Sequence, residues 1–192
     1  MRRAKVERNT LETKVKVEIN LDGKGERRIG TGMGFLDHML NLVAFHGSLD
    51  LKIECDGDLN VDAHHSAEDV GIALGQAFNS ALGDKRGIKR YSSLYIPMDE
   101  ALCRAALDIS NRPYLVFDAD FKSERLGDMS TQDFKEFFRA FVNEARVTLH
   151  LNVLYGENDH HKIEAVFKAF ARALKEAVQV QSDTISSSKG VL

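Results

Sequence analysis

The stretch Asp62-Ala63-His64-His65-Ser66-Ala67-Glu68-Asp69 returns downstream as Asp159-His160-His161-Lys162-Ile163-Glu164. Both read His-His-x-x-Glu, and both open a helical apolar pattern. Laid over one another without gaps, they bring His64 over His160, Glu68 over Glu164, Val70 over Val166, Ala73 over Ala169 and Ala77 over Ala173. The offset, 160 minus 64 or 96 residues, is half of the 192-residue chain. The chain therefore reads as a duplicated half, each copy contributing one set of metal ligands.

Working outward from the first copy, Lys14 to Leu21 alternates polar and apolar residues, the mark of a half-buried antiparallel strand. Asp22-Gly-Lys-Gly25 is a hairpin signal, with a return strand to about Thr31. Gly30, Gly32 and Gly34 read as a loop, because they lack the Lys-Ser/Thr of a P-loop and dinucleotide spacing. Phe35 to His46 has a helical period, with Leu36, Met39, Leu40 and Val43 on one face and His38 near the start; Gly47 stops it. A strand follows at 49–55. Asp62 is placed to cap a helix that carries His64, His65 and Glu68 and ends at Leu82-Gly83. The second half repeats the order. Strands are expected at 93–98, 101–109 and 113–121. Ser130-Thr-Gln-Asp133 caps a phenylalanine-rich helix, a strand covers 147–155, and the second His-His-x-x-Glu helix runs to about 180.

The expected fold is thus α+β. Each half runs strand-strand-strand-helix-strand-helix, a mostly antiparallel four-stranded sheet with two helices on one face. No linker composition marks the boundary near residue 92, so the repeats, about 1–92 and 93–192, are expected to form a single catalytic domain. The Ser-rich tail, 182–192, reads as loose by composition.

A hydrophobic content of 43% and 29% charged residues suit a globular chain, and a net charge of −3 gives no basic footprint for nucleic acid. Cys55 and Cys103 provide no disulfide framework and fit a reducing cytoplasm. The N-terminus lacks a signal-peptide core, and no apolar run approaches the roughly 20 residues that span a bilayer.

Four of the seven histidines sit in the two pairs. On a helix His64 and Glu68 share a face, and adjacent histidines point about 100° apart. Each pair is therefore a fork that serves two different ions more naturally than one. A cap would not need two histidines twice. Imidazole and carboxylate without thiolate suit Mn²⁺, Fe²⁺, Co²⁺, Ni²⁺ or Zn²⁺. His64, His65, Glu68, His160, His161 and Glu164 supply three donors for each of two ions. His38 adds another, and Glu136 stands at its place in the second half. Arg90, Arg112 and Lys189 lie in loops or at element ends where cations clamp phosphate, and Ser186-Ser-Ser-Lys189-Gly190 has the makings of a phosphate lid. A two-metal hydrolase and a metal-storage assembly use similar donors.

Several motifs in order make the chain resemble the imidazoleglycerol-phosphate dehydratases: Arg8-Asn-Thr-Leu-Glu12-Thr, Gly34-Phe-Leu-Asp-His38-Met, His46-Gly, the two His-His-x-x-Glu stretches, Pro97-Met-Asp-Glu-Ala-Leu102, Arg112-Pro-Tyr and Ser187-Ser-Lys189-Gly-Val191. The resemblance covers essentially the whole chain. It implies a hydro-lyase of histidine biosynthesis that converts D-erythro-imidazole glycerol phosphate to imidazole acetol phosphate, with two Mn²⁺ per active site. The ions would withdraw electron density, so that developing charge spreads into a metal-stabilised, imidazolate-like ring. Carried over by position, His38, His64, His65, Glu68, Glu136, His160, His161 and Glu164 would be metal ligands. Glu12, His38, His46, Arg90, Arg112, Ser187, Ser188 and Lys189 would contact substrate, and Glu12, Glu68 and Glu164 would be candidates for proton transfer. The chain departs from the family pattern at Glu136, where histidine is common, and at Asn111, where glycine is usual. The resemblance also implies a homo-oligomer of 24 subunits with sites at subunit interfaces.

Overall fold

The computed structural model describes residues 1–190 and 192. The first half contains β1 (Arg3–Asn9), β2 (Thr13–Asn20), β3 (Arg27–Gly30), α1 (Gly34–Gly47), β4 (Asp50–Gly57) and α2 (His64–Leu82). The second half contains β5 (Tyr91–Met98), β6 (Ala101–Asp108), β7 (Tyr114–Asp118), a short hairpin of β8 (Arg125–Leu126) and β9 (Met129–Ser130), α3 (Thr131–Ala145), β10 (Thr148–Tyr155) and α4 (Asp159–Ala177). The sheets have equivalent strand orders, β1-β2-β4-β3 and β5-β6-β10-β7. In each, two antiparallel pairings are followed by one parallel pairing, β4 with β3 and β10 with β7. The duplicated α+β architecture is as the sequence implies.

Alternation along β2 turns Val15, Val17 and Ile19 inward and Lys14, Lys16 and Glu18 outward. The helices cover the inner faces, with α2 on β1 and β2 and α4 on β5 and β6. They also pack across the halves, α1 on α4 and α2 on α3. One apolar cluster consequently runs through both repeats. Part of it is a cluster of aromatic rings. Phe134, Phe137, Phe138 and Phe141 of α3 meet Phe167 and Phe170 of α4, with Phe138 and Phe167 centroids 4.8 Å apart and Phe141 edge-on to Phe170 at 5.0 Å. Such tilted and edge contacts add to area burial. On the other side α3 approaches α2 over Gly71 and Gly75. A Cβ there would lie 2.5 Å from the Phe137 carbonyl and 2.6 Å from that of Phe141.

Four local expectations need correction. The Asp22–Gly25 turn does not make a β2–β3 hairpin. Asp50, at the start of β4, accepts the N–H groups of Lys24 (2.8 Å) and Glu26 (3.1 Å). The chain thereby crosses the end of β4, and β3 lands on its far side in parallel. Helix α1 includes Gly47 and ends on Ser48, which takes the left-handed conformation (φ 52°). Helix α4 stops at Ala177, and β7 is shorter than expected, giving way to the segment that carries β8 and β9.

Among its described residues the tail is hydrogen-bonded to the body of the protein. Gly87 donates to the Thr184 carbonyl (2.9 Å) and accepts from Gln181 (2.7 Å). The Arg90 guanidinium donates to the Ser186 carbonyl (2.7 Å), and the Asn111 amide to that of Leu192 (2.9 Å). At Gly87 φ is +73° and a Cβ would lie 1.9 Å from the Ser182 carbonyl, so only glycine serves there. Val191, the last residue of the tail motif, lies outside the described residues.

Candidate metal centre

The helix starts that carry the histidine pairs are held by local polar contacts. The Asp62 carboxylate accepts the His64 N–H (2.8 Å), one residue ahead of the Ala63 cap position. Asn158 caps α4 by accepting from both His160 and His161. With those termini fixed, the packing of α1 on α4 brings His38, His160 and Glu164 together, with donor atoms within 4.8 Å of one another. Glu164 Oε2 lies 3.1 Å from His160 Nε2 and 3.6 Å from His38 Nε2. Its other oxygen meets Lys168 Nζ at 2.6 Å. Burial works to raise the Glu164 carboxyl, but Lys168 and His160 outweigh it and hold the group below the usual carboxylate range. The Phe35 ring stands edge-on to His160 at 5.3 Å.

The corresponding corner between α2 and α3 is built differently. His64 Nδ1 lies 3.6 Å from an Asp133 carboxylate oxygen. Burial raises the Asp133 carboxyl, against the N–H of Ser130 and the neighbouring His64. Glu136 is ion-paired with Arg139, three residues on along α3. Glu68, His64 and Glu136 do not close into a cluster like that of Glu164, His160 and His38 among the described residues.

The second member of each pair points elsewhere. His65 Nδ1 is 2.9 Å from Asp58, just after β4, and 3.8 Å from Glu12, in the β1–β2 turn. Glu12, Asp58 and His65 form the other convergent donor group, and Glu12 and Asp58 line a cavity of about 250 Å³. His161 Nδ1 is 2.7 Å from Glu100, in the β5–β6 turn, and its Nε2 is 3.8 Å from Asp99. The adjacent rings are nearly perpendicular, at 77° in the first pair and 88° in the second. Each pair is thus a fork with divergent tips. The Asp58 and Glu100 carboxylates raise the pKa of His65 and His161. The N–H of Asn158, then His161, lower the Glu100 carboxyl to about 2.

Imidazole and carboxylate donors converging without thiolate fit a divalent first-row ion. At metal–ligand distances of about 2.1 Å, donors roughly 3 Å apart need only small rotations to share one ion. In the His38, His160 and Glu164 group, the separations from Glu164 Oε2 are 3.1 and 3.6 Å, near that range.

The anion-binding candidates gather at the other end of the second sheet. Arg90, buried and with φ 73°, donates through Nε and Nη2 to Asp108 (2.7 and 3.2 Å). Arg112, exposed, reaches the same carboxylate at 3.3 Å. Ser187, Ser188 and Lys189 lie between two anchored carbonyls, Ser186 on Arg90 and Leu192 on Asn111. His46 sits in the last turn of α1, its pKa lowered by burial and by Lys168 and Arg172 of α4. Arg90 N–H also binds the carbonyl of Ala177, the last residue of α4, whose first turn carries the histidines. The helix between spans about 25 Å at 1.5 Å per residue.

Asp58, Asp99, Glu100, Asp133 and Lys168 are neighbours of the histidine forks that sequence reading passed over. Lys168 was detectable from its four-residue spacing to Glu164, and Asp99-Glu100 from standing in the turn that repeats the Glu12 turn. Asp58 and Asp133 carried no such signal, since tertiary packing alone brings them to α2.

Comparison with known proteins gives a consistent result. The family model described as imidazoleglycerol-phosphate dehydratase matches residues 31–174. The chain is 68% identical over 192 residues, all of both chains, to the imidazoleglycerol-phosphate dehydratase of Clostridioides difficile strain 630. It is 58% identical over 189 residues to that of Caldicellulosiruptor saccharolyticus, covering 98% of this chain and 97% of the relative. Among solved structures, the Staphylococcus aureus N315 enzyme superposes with a TM-score of 0.85 at 44% identity, covering 93% of this chain and 99% of that one. The Pyrococcus furiosus enzyme in complex with (S)-C348 gives 0.85 at 37% identity, over 97% of this chain and 100% of that one.

Proposed function

Because the chain belongs to the imidazoleglycerol-phosphate dehydratase family, we propose that its histidine forks hold two Mn²⁺ ions per active site around the imidazole of D-erythro-imidazole glycerol phosphate. The activity is the dehydration of that substrate in histidine biosynthesis. The observation that carries the metal reading is the convergence of His38, His160 and Glu164 within 4.8 Å. His64, His65, Glu68, Glu136 and His161 complete the ligand set. When bound, the ions would supply Lewis acidity to the substrate's ring nitrogens.

The product, imidazole acetol phosphate, has its carbonyl one carbon beyond the ring-attached carbon. The hydroxyl lost is therefore the one on the ring-attached carbon, and the proton removed comes from its neighbour, giving an enol that tautomerises to the ketone. Among the proton-transfer candidates, Glu12 suits the role best. Its side chain is 56% exposed and lies 3.8 Å from His65 Nδ1, so it is free to meet substrate. Glu164 is occupied by Lys168 and His160. Glu68 remains a candidate at the first fork.

Arg90, Arg112, Ser187, Ser188 and Lys189 would bind the phosphate, with His46 contacting substrate along α1. The length of α4 separates these residues from the histidine forks of the same chain, and a ring, three carbons and a phosphate cannot bridge about 25 Å. This separation supports sites shared between neighbouring chains, as in a 24-subunit homo-oligomer, with the metal end from one chain and the phosphate end from another. Within that assembly residues 1–192 would act as one catalytic domain of two repeats, about 1–92 and 93–192. Among the described residues no helix is long and apolar enough to cross a membrane. A soluble phosphorylated substrate and two unpaired cysteines, Cys55 and Cys103, support a cytoplasmic setting.

The test is turnover of imidazole glycerol phosphate by metal-stripped protein before and after Mn²⁺ reloading. Ketone formation only after reloading is expected. No ketone from the reloaded protein would sink the reading.

A further inference from the structure

Both outer histidines, His65 and His161, present the same ring edge to a carboxylate. His65 Nδ1 is 2.9 Å from Asp58 Oδ2, and His161 Nδ1 is 2.7 Å from Glu100 Oε2. The carboxylates come from unrelated places: Asp58 follows β4, and Glu100 sits in the β5–β6 turn. The repeat offset does not map one onto the other. The same arrangement has therefore been reached twice along different routes.

An ionised carboxylate is acceptor-only, so the nitrogen facing it carries the proton. That leaves Nε2 of each ring with a lone pair. His65 Nε2 has no hydrogen-bond partner among the described residues, and His161 Nε2 faces Asp99 at 3.8 Å, beyond hydrogen-bond reach. We infer that Asp58 and Glu100 are positioning residues that fix the Nδ1–H tautomer of His65 and His161 and so present Nε2 to the metal ions. The inference rests on the metal reading above and names residues beyond the ligand set. Carboxylate partners of this kind typically contribute roughly 10–100-fold in metal affinity.

The two carboxylates differ in a way that makes the role testable. Glu100 Oε1 accepts the N–H groups of Glu157 (3.1 Å) and Asn158 (2.8 Å), while Oε2 takes His161. In Glu100→Gln the amide oxygen stays with the two backbone donors, which turns the amide NH₂ toward Nδ1. The loop before α4 is then preserved while His161 is forced into the Nε2–H form, which cannot ligate. The other oxygen of Asp58 is buried and has no hydrogen-bond partner. The amide of Asp58→Asn can therefore keep its oxygen on His65, whereas Asp58→Ala cannot.

Calorimetric titration of metal-stripped protein with Mn²⁺ reads the effect directly. Glu100→Gln is expected to bind roughly 10–100-fold more weakly than the parent, with an unchanged circular dichroism spectrum. ¹⁵N-histidine NMR of the metal-stripped protein is expected to show one tautomer switched. Asp58→Ala is expected to lose affinity and Asp58→Asn to retain it. If Glu100→Gln fails to fold, the Asp58 pair decides alone. Parental affinity in Glu100→Gln and Asp58→Ala would overturn the inference. A parent that takes up no Mn²⁺ would instead overturn the metal reading beneath it.

Discussion

The helix pairs α1–α4 and α2–α3 occupy equivalent places in the duplicated fold, yet they are finished with different chemistry. Gly71 and Gly75 let α3 approach α2 closely, and their repeat counterparts in α4 are Phe167 and Ala171, both fully buried. Beside His160 stands the Phe35 ring; beside His64 stands the Asp133 carboxylate. His38 closes one corner, while Glu136 is drawn to Arg139 in the other. Duplication has kept the backbone path and the His-His-x-x-Glu fork. The contacts around each fork have diverged, so the two candidate metal corners share a scaffold and differ in electrostatics.

The largest effect should come from removing a proposed ligand at each corner. Glu164→Gln and Glu68→Gln are each expected to reduce kcat/KM by more than about 100-fold, beyond the range typical of outer-shell partners. Metal analysis should show less Mn²⁺ in both. A Glu68→Gln enzyme with parental activity would mean that the α2–α3 corner supplies no ligand, and the two halves would not be equivalent donors.

Packing separates the pairs next. Gly75→Ala is expected to destabilise by about 1–3 kcal/mol in urea unfolding, because the added Cβ meets the Phe141 carbonyl and overpacking outweighs the gain in helix propensity. Ala171→Gly, at the equivalent place, is expected to cost about 1 kcal/mol. A stabilised Gly75→Ala would show that the α2–α3 spacing yields freely.

The tail offers a smaller effect, confined to the phosphate end. Deleting residues 186–192 is expected to raise KM about tenfold, equivalent to 1.4 kcal/mol, with metal content unchanged. An unaltered KM would remove Ser187, Ser188 and Lys189 from the binding site.

The smallest effect concerns helix caps. Helix α3 caps itself through Ser130 and Asp133, whereas α1 has no side-chain cap of its own and is held by Asp128 from the β8–β9 hairpin, which accepts the N–H groups of Gly34 and Phe35. Asp128→Ala is expected to cost about 1 kcal/mol, as is Ser130→Ala. A neutral Asp128→Ala would show that α1 needs no cap from the other half.

Much of this fold was legible because its signals are local. Alternation in Lys14 to Leu21 and the Ser130 cap follow from neighbouring residues, and the repeat offset follows from laying one half of the sequence over the other. The path of β3 was not legible, since the Asp22–Gly25 turn looks like a hairpin until Asp50, distant in sequence, takes its N–H groups. The anchored tail depends on Gly87, Arg90 and Asn111, which composition does not reveal. At the centre itself, the fork geometry followed from helix pitch. The carboxylates Asp58 and Asp133 did not, because a loop and a neighbouring helix deliver them, and Glu100 could be read only from the turn that repeats the Glu12 turn.

In the proposed assembly, one site takes its metal end from one chain and its phosphate end from another. Subunit mixing tests it most directly. Glu164→Gln, impaired at the metal end, and Arg112→Ala, impaired at the phosphate end, are purified separately, dissociated, mixed and reassembled with Mn²⁺. Recovery of activity, up to about a quarter of the parental value if chains mix at random, is expected, since some sites then draw both intact ends. A mixture no more active than the two variants apart would contradict the shared site.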